Sequence, residues 1–174
     1  MRFSYLLASL TLAAAACQPA TTRPPFGPFP EAPGSEIRLP VPEGTRRLAE
    51  TLKADSFPTH KVRLRDGYIE TPWFLARTRQ PTTQRPLGPD VVRIRAWADP
   101  ARPGSTQLTV ETLYRPRADP SLPERELERQ VPRDHPVALR VEAALKRLIE
   151  RFGAPPPPQE QQPPADTDQT EEGE

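Results

Sequence analysis

The 174-residue chain has one cysteine, one methionine, two histidines and three lysines, and aromatic residues make up 6% of it. A single cysteine excludes any disulfide within the chain. The two histidines, His60 and His135, share no ligand spacing with acidic or thiol partners, so no metal site is expected. His60 precedes the first expected strand and His135 opens the last expected helix, and both read as ordinary solvated side chains. No glycine-rich phosphate loop, Gly-x-Ser-x-Gly elbow or nucleophile–base grouping is present, so neither catalytic residues nor a cofactor are expected. Glu124, Glu126 and Glu128 alternate with arginines and read as a charged helix surface, not a paired carboxylate site. Long apolar runs are missing too. Phe3 to Ala16 carries no charge but has 14 residues, short of the about 20 that a spanning helix needs.

Proline is abundant. Of the 26 prolines, 8 lie in residues 18–42, 12 in 43–152 and 6 in 153–174. A single compact core cannot absorb that load as helix or sheet interior. The reading is one domain, residues 43–152, between a proline-rich tether and a proline-rich tail (153–174), which is expected to be disordered. Charge divides along the same lines. Residues 43–152 carry 21 Lys+Arg against 15 Asp+Glu, or +6, whereas 153–174 carries six acids and no base, or −6. Such a tail can screen the basic domain until a partner displaces it, or simply keep the protein soluble.

Met1-Arg2 followed by Phe3–Ala16 has the form of a signal peptide, residues 1–16. The run closes as Leu12-Ala13-Ala14-Ala15-Ala16-Cys17. This resembles the bacterial lipoprotein lipobox, in which small residues precede a cysteine whose thiol receives a diacylglycerol. Ala14 stands where that family usually has leucine, and ordinary cleavage after Ala16 would leave Cys17 as a free thiol. Gln18 after the cysteine resembles lipoproteins sent on to the outer membrane, which implies an anchored protein facing the periplasm. Two or three acyl chains would hold it stably where one would not. With Cys17, residues 18–42 make up the tether, and Arg23-Pro24-Pro25-Phe26-Gly27-Pro28-Phe29-Pro30 favours polyproline II. Fully extended at about 3.1 Å per residue, the tether would span roughly 75 Å.

Within the domain, a short helix is expected over about Thr45 to Asp55, ended by Pro58. Val62 to Trp73 has Asp66-Gly67 between two alternating runs, the sequence of a two-residue type I′ hairpin. That turn would place Arg65 opposite Tyr68, Leu64 opposite Ile69 and Arg63 opposite Glu70, with Val62, Leu64, Ile69, Thr71 and Trp73 on one face. Two further strands follow, Val91 to Ala98 and Gln107 to Tyr114. A helical segment is expected over Leu122–Gln130, with Ser121 and Glu124 at capping-box spacing. The final helix opens with Asp134 as its cap and Pro136 in its first turn, and stops at Gly153; Val137, Val141, Ala144, Leu145, Leu148 and Phe152 form its apolar stripe.

The fold class is therefore α+β: a short helix, a four-stranded antiparallel sheet and a long C-terminal helix packed on one face. With the lipobox, the tether and the hairpin Arg65-Asp66-Gly67-Tyr68-Ile69-Glu70-Thr71-Pro72-Trp73-Phe74, this resembles the helix-grip domains of BamC-type outer-membrane assembly lipoproteins. The resemblance covers about residues 43–152 and is one of architecture more than of motif. It implies a non-enzymatic interaction or scaffold domain, accessory to outer-membrane assembly, with the membrane and an envelope protein as partners; the export signal argues against nucleic acid.

Two candidate sites follow. The sheet face away from the helix collects Arg63, Arg65, Tyr68, Arg93, Arg95 and Trp97, with Glu70, Glu111 and Leu113 among them. Arginine and aromatics together suit a protein or anionic partner, or else form a solvated face with weak ion pairs. In a carrier reading, Trp73, Tyr114 and Phe152 would line a pocket for a small apolar ligand between sheet and helix.

Overall fold

A computed structural model describes residues 21–84 and 87–153. The expected signal peptide, Cys17 and the acidic stretch beyond Gly153 lie outside the described residues. In chain order the elements are β1 (Gly34–Ile37), α1 (Val41–Ala54), β2 (Lys61–Arg63), β3 (Tyr68–Glu70), β4 (Phe74–Leu75), β5 (Gly88–Pro100), β6 (Thr106–Arg115), α2 (Glu124–Leu127), β7 (Arg129–Gln130) and α3 (Pro136–Phe152). The class is α+β, with an antiparallel sheet ordered β1-β6-β5-β3-β2, to which β4 adds on β5 and β7 on β6. Among the described residues, seven strands stand where four are expected. The additions are the two-residue β4 and β7 and, more consequentially, β1, which comes from the expected tether.

The long β5–β6 hairpin is the spine, and its alternation holds as the sequence predicts. Val92, Ile94, Ala96 and Ala98 of β5 join Leu108 and Val110 of β6 on one face, where α1 and α3 cover them with Leu48, Leu52, Val137, Val141, Leu145 and Leu148. The opposite parity, Arg93, Arg95, Trp97, Glu111 and Leu113, faces away from both helices. Helix α1 begins before the expected Thr45, because Pro42 suits the first turn, where its missing N–H has no partner to lose. At α3, His135 and not Asp134 is the cap: its Nδ1 accepts from Val137 N at 3.2 Å, and its Nε2 lies 3.2 Å from Pro89 O. The expected helix over Leu122–Gln130 shrinks to a single turn. Ser121 turns its hydroxyl (2.6 Å) and its N–H (3.0 Å) back to Asp119, so it caps nothing.

Two register differences decide where side chains point. The β2–β3 hairpin pairs Lys61 with Glu70, Val62 with Ile69 and Arg63 with Tyr68, two residues away from the expected register. A type I′ turn needs positive φ at both central residues, but only Gly67 (φ 63°) adopts it and Asp66 does not. The loop therefore takes in four residues, Leu64 to Gly67, and a slip of two leaves the facing of each strand unchanged. The second difference does change facing. β3 pairs Ile69 with Ala96, while β4 pairs Phe74 with Val92, one residue out of step. The extra residue is accommodated across Thr71-Pro72-Trp73, where Pro72 has no N–H to continue the ladder. Phe74 thereby takes the helix side, 6.0 Å from Phe57 between ring centres, and Trp73 goes to the other.

Candidate functional site

The face expected to be open is covered. Tyr68, Trp97 and Arg95 are 2–3% exposed, and Glu111 and Glu128 are fully buried. Part of the cover is residues 21–33, which cross this face as a strap; the remainder is the stretch holding α2 and β7. At one end of the strap, Thr22 donates its N–H to Asp66 at 2.9 Å, and Arg23 bonds Asp99 at 2.7 Å and Gly67 O at 3.3 Å. In the middle, Phe26 lies 5.2 Å from the Arg95 guanidinium and 4.7 Å from that of Arg125, and the Phe29 ring lies 3.7 Å from Arg125. The Phe29 N–H donates to Glu111, and Arg125 donates to Gly27 O at 2.8 Å. The strap then runs into β1, which pairs with β6.

Beneath it lies an ionic layer. Arg125 grips Glu111 with two hydrogen bonds of 2.8 Å each, the bidentate geometry that a guanidinium offers a carboxylate. Arg95 donates Nε to Glu70 at 3.1 Å and Nη1 to Glu128. Glu70 also takes Lys61 Nζ at 2.8 Å and the Tyr68 hydroxyl at 2.7 Å. Burial works to raise the Glu70 carboxyl, but these bonds and the nearby Arg93 outweigh it and bring it to about 2. The Tyr68 hydroxyl is pushed upward, first by burial and then by its bond to Glu70. In Glu128 burial wins, and the carboxyl sits above its ordinary value despite Arg95. Arg93 stacks on Trp73 at 4.6 Å and approaches Glu124 and Glu128 at 3.5 and 3.6 Å.

The alternation thus brought together Tyr68, Arg93, Arg95 and Trp97, and the ring contact of Tyr68 with Trp97 is 5.6 Å between centres. It did not bring in Arg65, which the longer loop carries off the strand. Arg63 and Arg65 are exposed. The expected pairs also change: Glu70 takes Lys61 and Arg95 instead of Arg63, and Glu111 takes Arg125. Glu128, expected on a helix surface, is fully buried in the layer, as Glu111 is, because the chain leaves α2 and becomes β7 just there. Sequence reasoning missed Arg125, Glu128, Phe26 and Phe29. The two phenylalanines did carry a signal, as aromatics otherwise unexplained in a linker beside an arginine-rich face.

The expected pocket does not assemble. Trp73 is on the strap side, stacked on Arg93 with its indole donating to Glu124 at 3.2 Å, while Tyr114 and Phe152 pack against the helix-side core. The one-residue slip at Pro72 separates them. Trp73 borders a recess of about 300 Å³ with His60, Lys61 and Thr82; Phe152 borders a separate one of about 370 Å³ with Arg47, Thr51 and Arg147. His60 is exposed and His135 half-buried. Among the described residues, no cluster of three or more His, Cys, Asp or Glu could hold a metal ion, and no helix is long and apolar enough to cross a membrane. No protein-family model matches the chain, and no curated protein matches it.

Proposed function

We propose that this chain is a lipid-anchored, non-enzymatic protein of the bacterial cell envelope whose α+β domain serves interaction or scaffolding, with accessory work in outer-membrane assembly as the role that the BamC-type resemblance suggests. The observation that carries the reading is the position of Cys17. The only thiol of the chain ends a run of small residues directly behind a charge-free segment of signal-peptide length. The ionic layer supports a structural use of the charged residues: Arg95, Arg125, Glu70, Glu111 and Glu128 bind one another beneath the strap.

Mass spectrometry of the amino terminus, with fractionation of cells making the wild type and Cys17→Ser, tests the anchor. A diacylated amino-terminal Cys17 is expected, with the wild type in membranes and the variant released from them. An unacylated chain starting at another residue, found equally in the soluble fraction with or without the substitution, would refute the reading.

A further inference from the structure

The docked strap changes what an anchor at Cys17 would do. Thr22 is already fixed to Asp66, at the β2–β3 turn. The five steps from Cys17 to Thr22, at no more than about 3.6 Å each, leave at most roughly 18 Å between an acylated cysteine and the folded domain. A free tether from 18 to 42 would have allowed about four times that. The domain is therefore held close to its membrane, and held by a particular end.

That end presents cations. Ala98 N donates to Gly67 O at 2.8 Å, so the β2–β3 turn lies beside the C-terminal end of β5, next to the β5–β6 turn. Most charges here are paired: Arg23 with Asp99, Arg102 with Glu36, and Arg46 with Glu43. Asp66 accepts from Thr22. The Arg63 and Arg65 side chains are exposed and form no hydrogen bond or ion pair among the described residues, although the Arg63 charge acts on Asp66, whose carboxyl is held below its ordinary value first by its bonds from Thr22. Two exposed guanidiniums within reach of an acyl anchor complement an anionic lipid surface, whose attraction for arginine falls off within about a Debye length, close to 10 Å.

We propose that the β2–β3 turn, through Arg63 and Arg65, rests on the anionic headgroups of the membrane that holds Cys17, so that the domain stands on the bilayer with the start of β5 and α3 pointing away. This rests on the anchored reading above. Gly88 and Asp99 pair with Arg115 and Gln107, eight steps apart on β6, so at about 3.3 Å each the far end stands roughly 26 Å higher. His135, at the start of α3, touches Pro89, so Leu139, exposed on the first turns of α3, marks that far end.

The test uses the full chain made in a bacterial host, its amino-terminal mass recorded, and placed in vesicles of phosphatidylcholine and phosphatidylglycerol that contain a headgroup-nitroxide lipid. A fluorophore is attached at Leu64→Cys or at Leu139→Cys. Quenching several-fold stronger at 64 than at 139 is expected, and R63E/R65E should reduce that ratio to near one. Equal quenching at the two sites in a protein whose mass shows the acylated cysteine overturns the orientation and leaves the anchor standing. A ratio unchanged by R63E/R65E overturns the role of the two arginines. A mass without acyl chains overturns both this inference and the anchored reading.

Discussion

The guanidinium carbon of Arg125 sits 3.7 Å from the centre of the Phe29 ring, joining a one-turn helix to a segment whose composition reads as linker. The same guanidinium holds Glu111 on β6 and Gly27 O in the strap. A single side chain therefore ties together the sheet, its cover and the chain leading toward Cys17. Removing the aromatic partners should loosen the strap without touching the helix-side core. The double variant F26A/F29A is expected to lose about 2 kcal/mol, from three cation–aromatic contacts and partial burial. Urea unfolding would measure the loss, and a glutamate-specific endoproteinase should cut after Glu31, in the strap, faster than in the wild type. Unchanged cleavage would mean that the rings do not hold the strap.

Glu128 offers a sharper contrast. It is fully buried, and its Oε2 takes Arg95 Nη1, with Arg93 and Arg125 at 3.6 and 3.8 Å. Truncating one partner of a buried pair strands the other, and the usual cost is about 3–5 kcal/mol. Glu128→Ala should fall in that range, measured by chemical denaturation. Replacing both members, as in R95M/E128L, should recover part of the loss, since an apolar pair carries no desolvation cost while Glu70, deprived of Arg95, keeps Lys61 and the Tyr68 hydroxyl. By comparison, Arg102 grips Glu36 with two bonds of 2.8 Å but is 54% exposed, and Arg102→Ala should cost under about 1 kcal/mol.

How far these features could be read from the sequence depends on what kind of information fixes each. The period-two pattern of Val91 to Ala98 and Gln107 to Tyr114 settles which side chains share a face, because facing is a local property of a strand. The stripe of α3 is equally local, and its first five members are buried as expected. What covers the second face is not local. Residues 21–33 are rich in proline whether free in solution or lying on a surface, since polyproline II forms no internal hydrogen bonds in either case. Only the partners Asp66, Asp99 and Glu111, each more than 40 residues away, distinguish the two. The slip at Thr71-Pro72-Trp73 was hidden for a related reason: Pro72 announces a break in the ladder but not whether one residue or two is absorbed there. That ambiguity moved Trp73 from the expected pocket to the arginine face.

Acid should act on Glu70 with a definite sign. Its carboxyl titrates near 2 in the fold against 4.5 in the unfolded chain. A depressed carboxyl contributes stability that is complete above the unfolded value and is lost as pH falls from about 5 to about 2. At 1.36 kcal/mol per pH unit, the contribution is about 3 kcal/mol. Glu128, shifted upward, acts in the opposite direction over the acid range, so total stability is a blunt probe. The difference between wild type and E70Q isolates the effect. It should be about 3 kcal/mol at pH 7 and shrink toward zero near pH 2, followed by urea midpoints across that range. A difference independent of pH would show that Glu70 is not ionised against Arg95 and Lys61.

Gly67 and Gly104 separate backbone strain from steric conflict. Both adopt positive φ, 63° and 76°. A side chain at 104 would meet nothing within 4 Å, whereas a Cβ at 67 would stand 2.0 Å from Ala98 O and 2.9 Å from Val41 Cγ1. Gly104→Ala should therefore cost only the left-handed penalty, about 1 kcal/mol. Gly67→Ala adds a collision with backbone that cannot rotate away, so the turn must move and the bonds Ala98 N to Gly67 O and Thr22 N to Asp66 weaken with it. A loss of more than about 3 kcal/mol is expected, together with faster hydrogen exchange of the Thr22 amide, because the strap and the turn share those contacts. If Gly67→Ala destabilised the fold yet left exchange of the Thr22 amide unchanged, the strap would not be anchored through this turn, and the close approach of the domain to an acylated Cys17 would lose its structural basis.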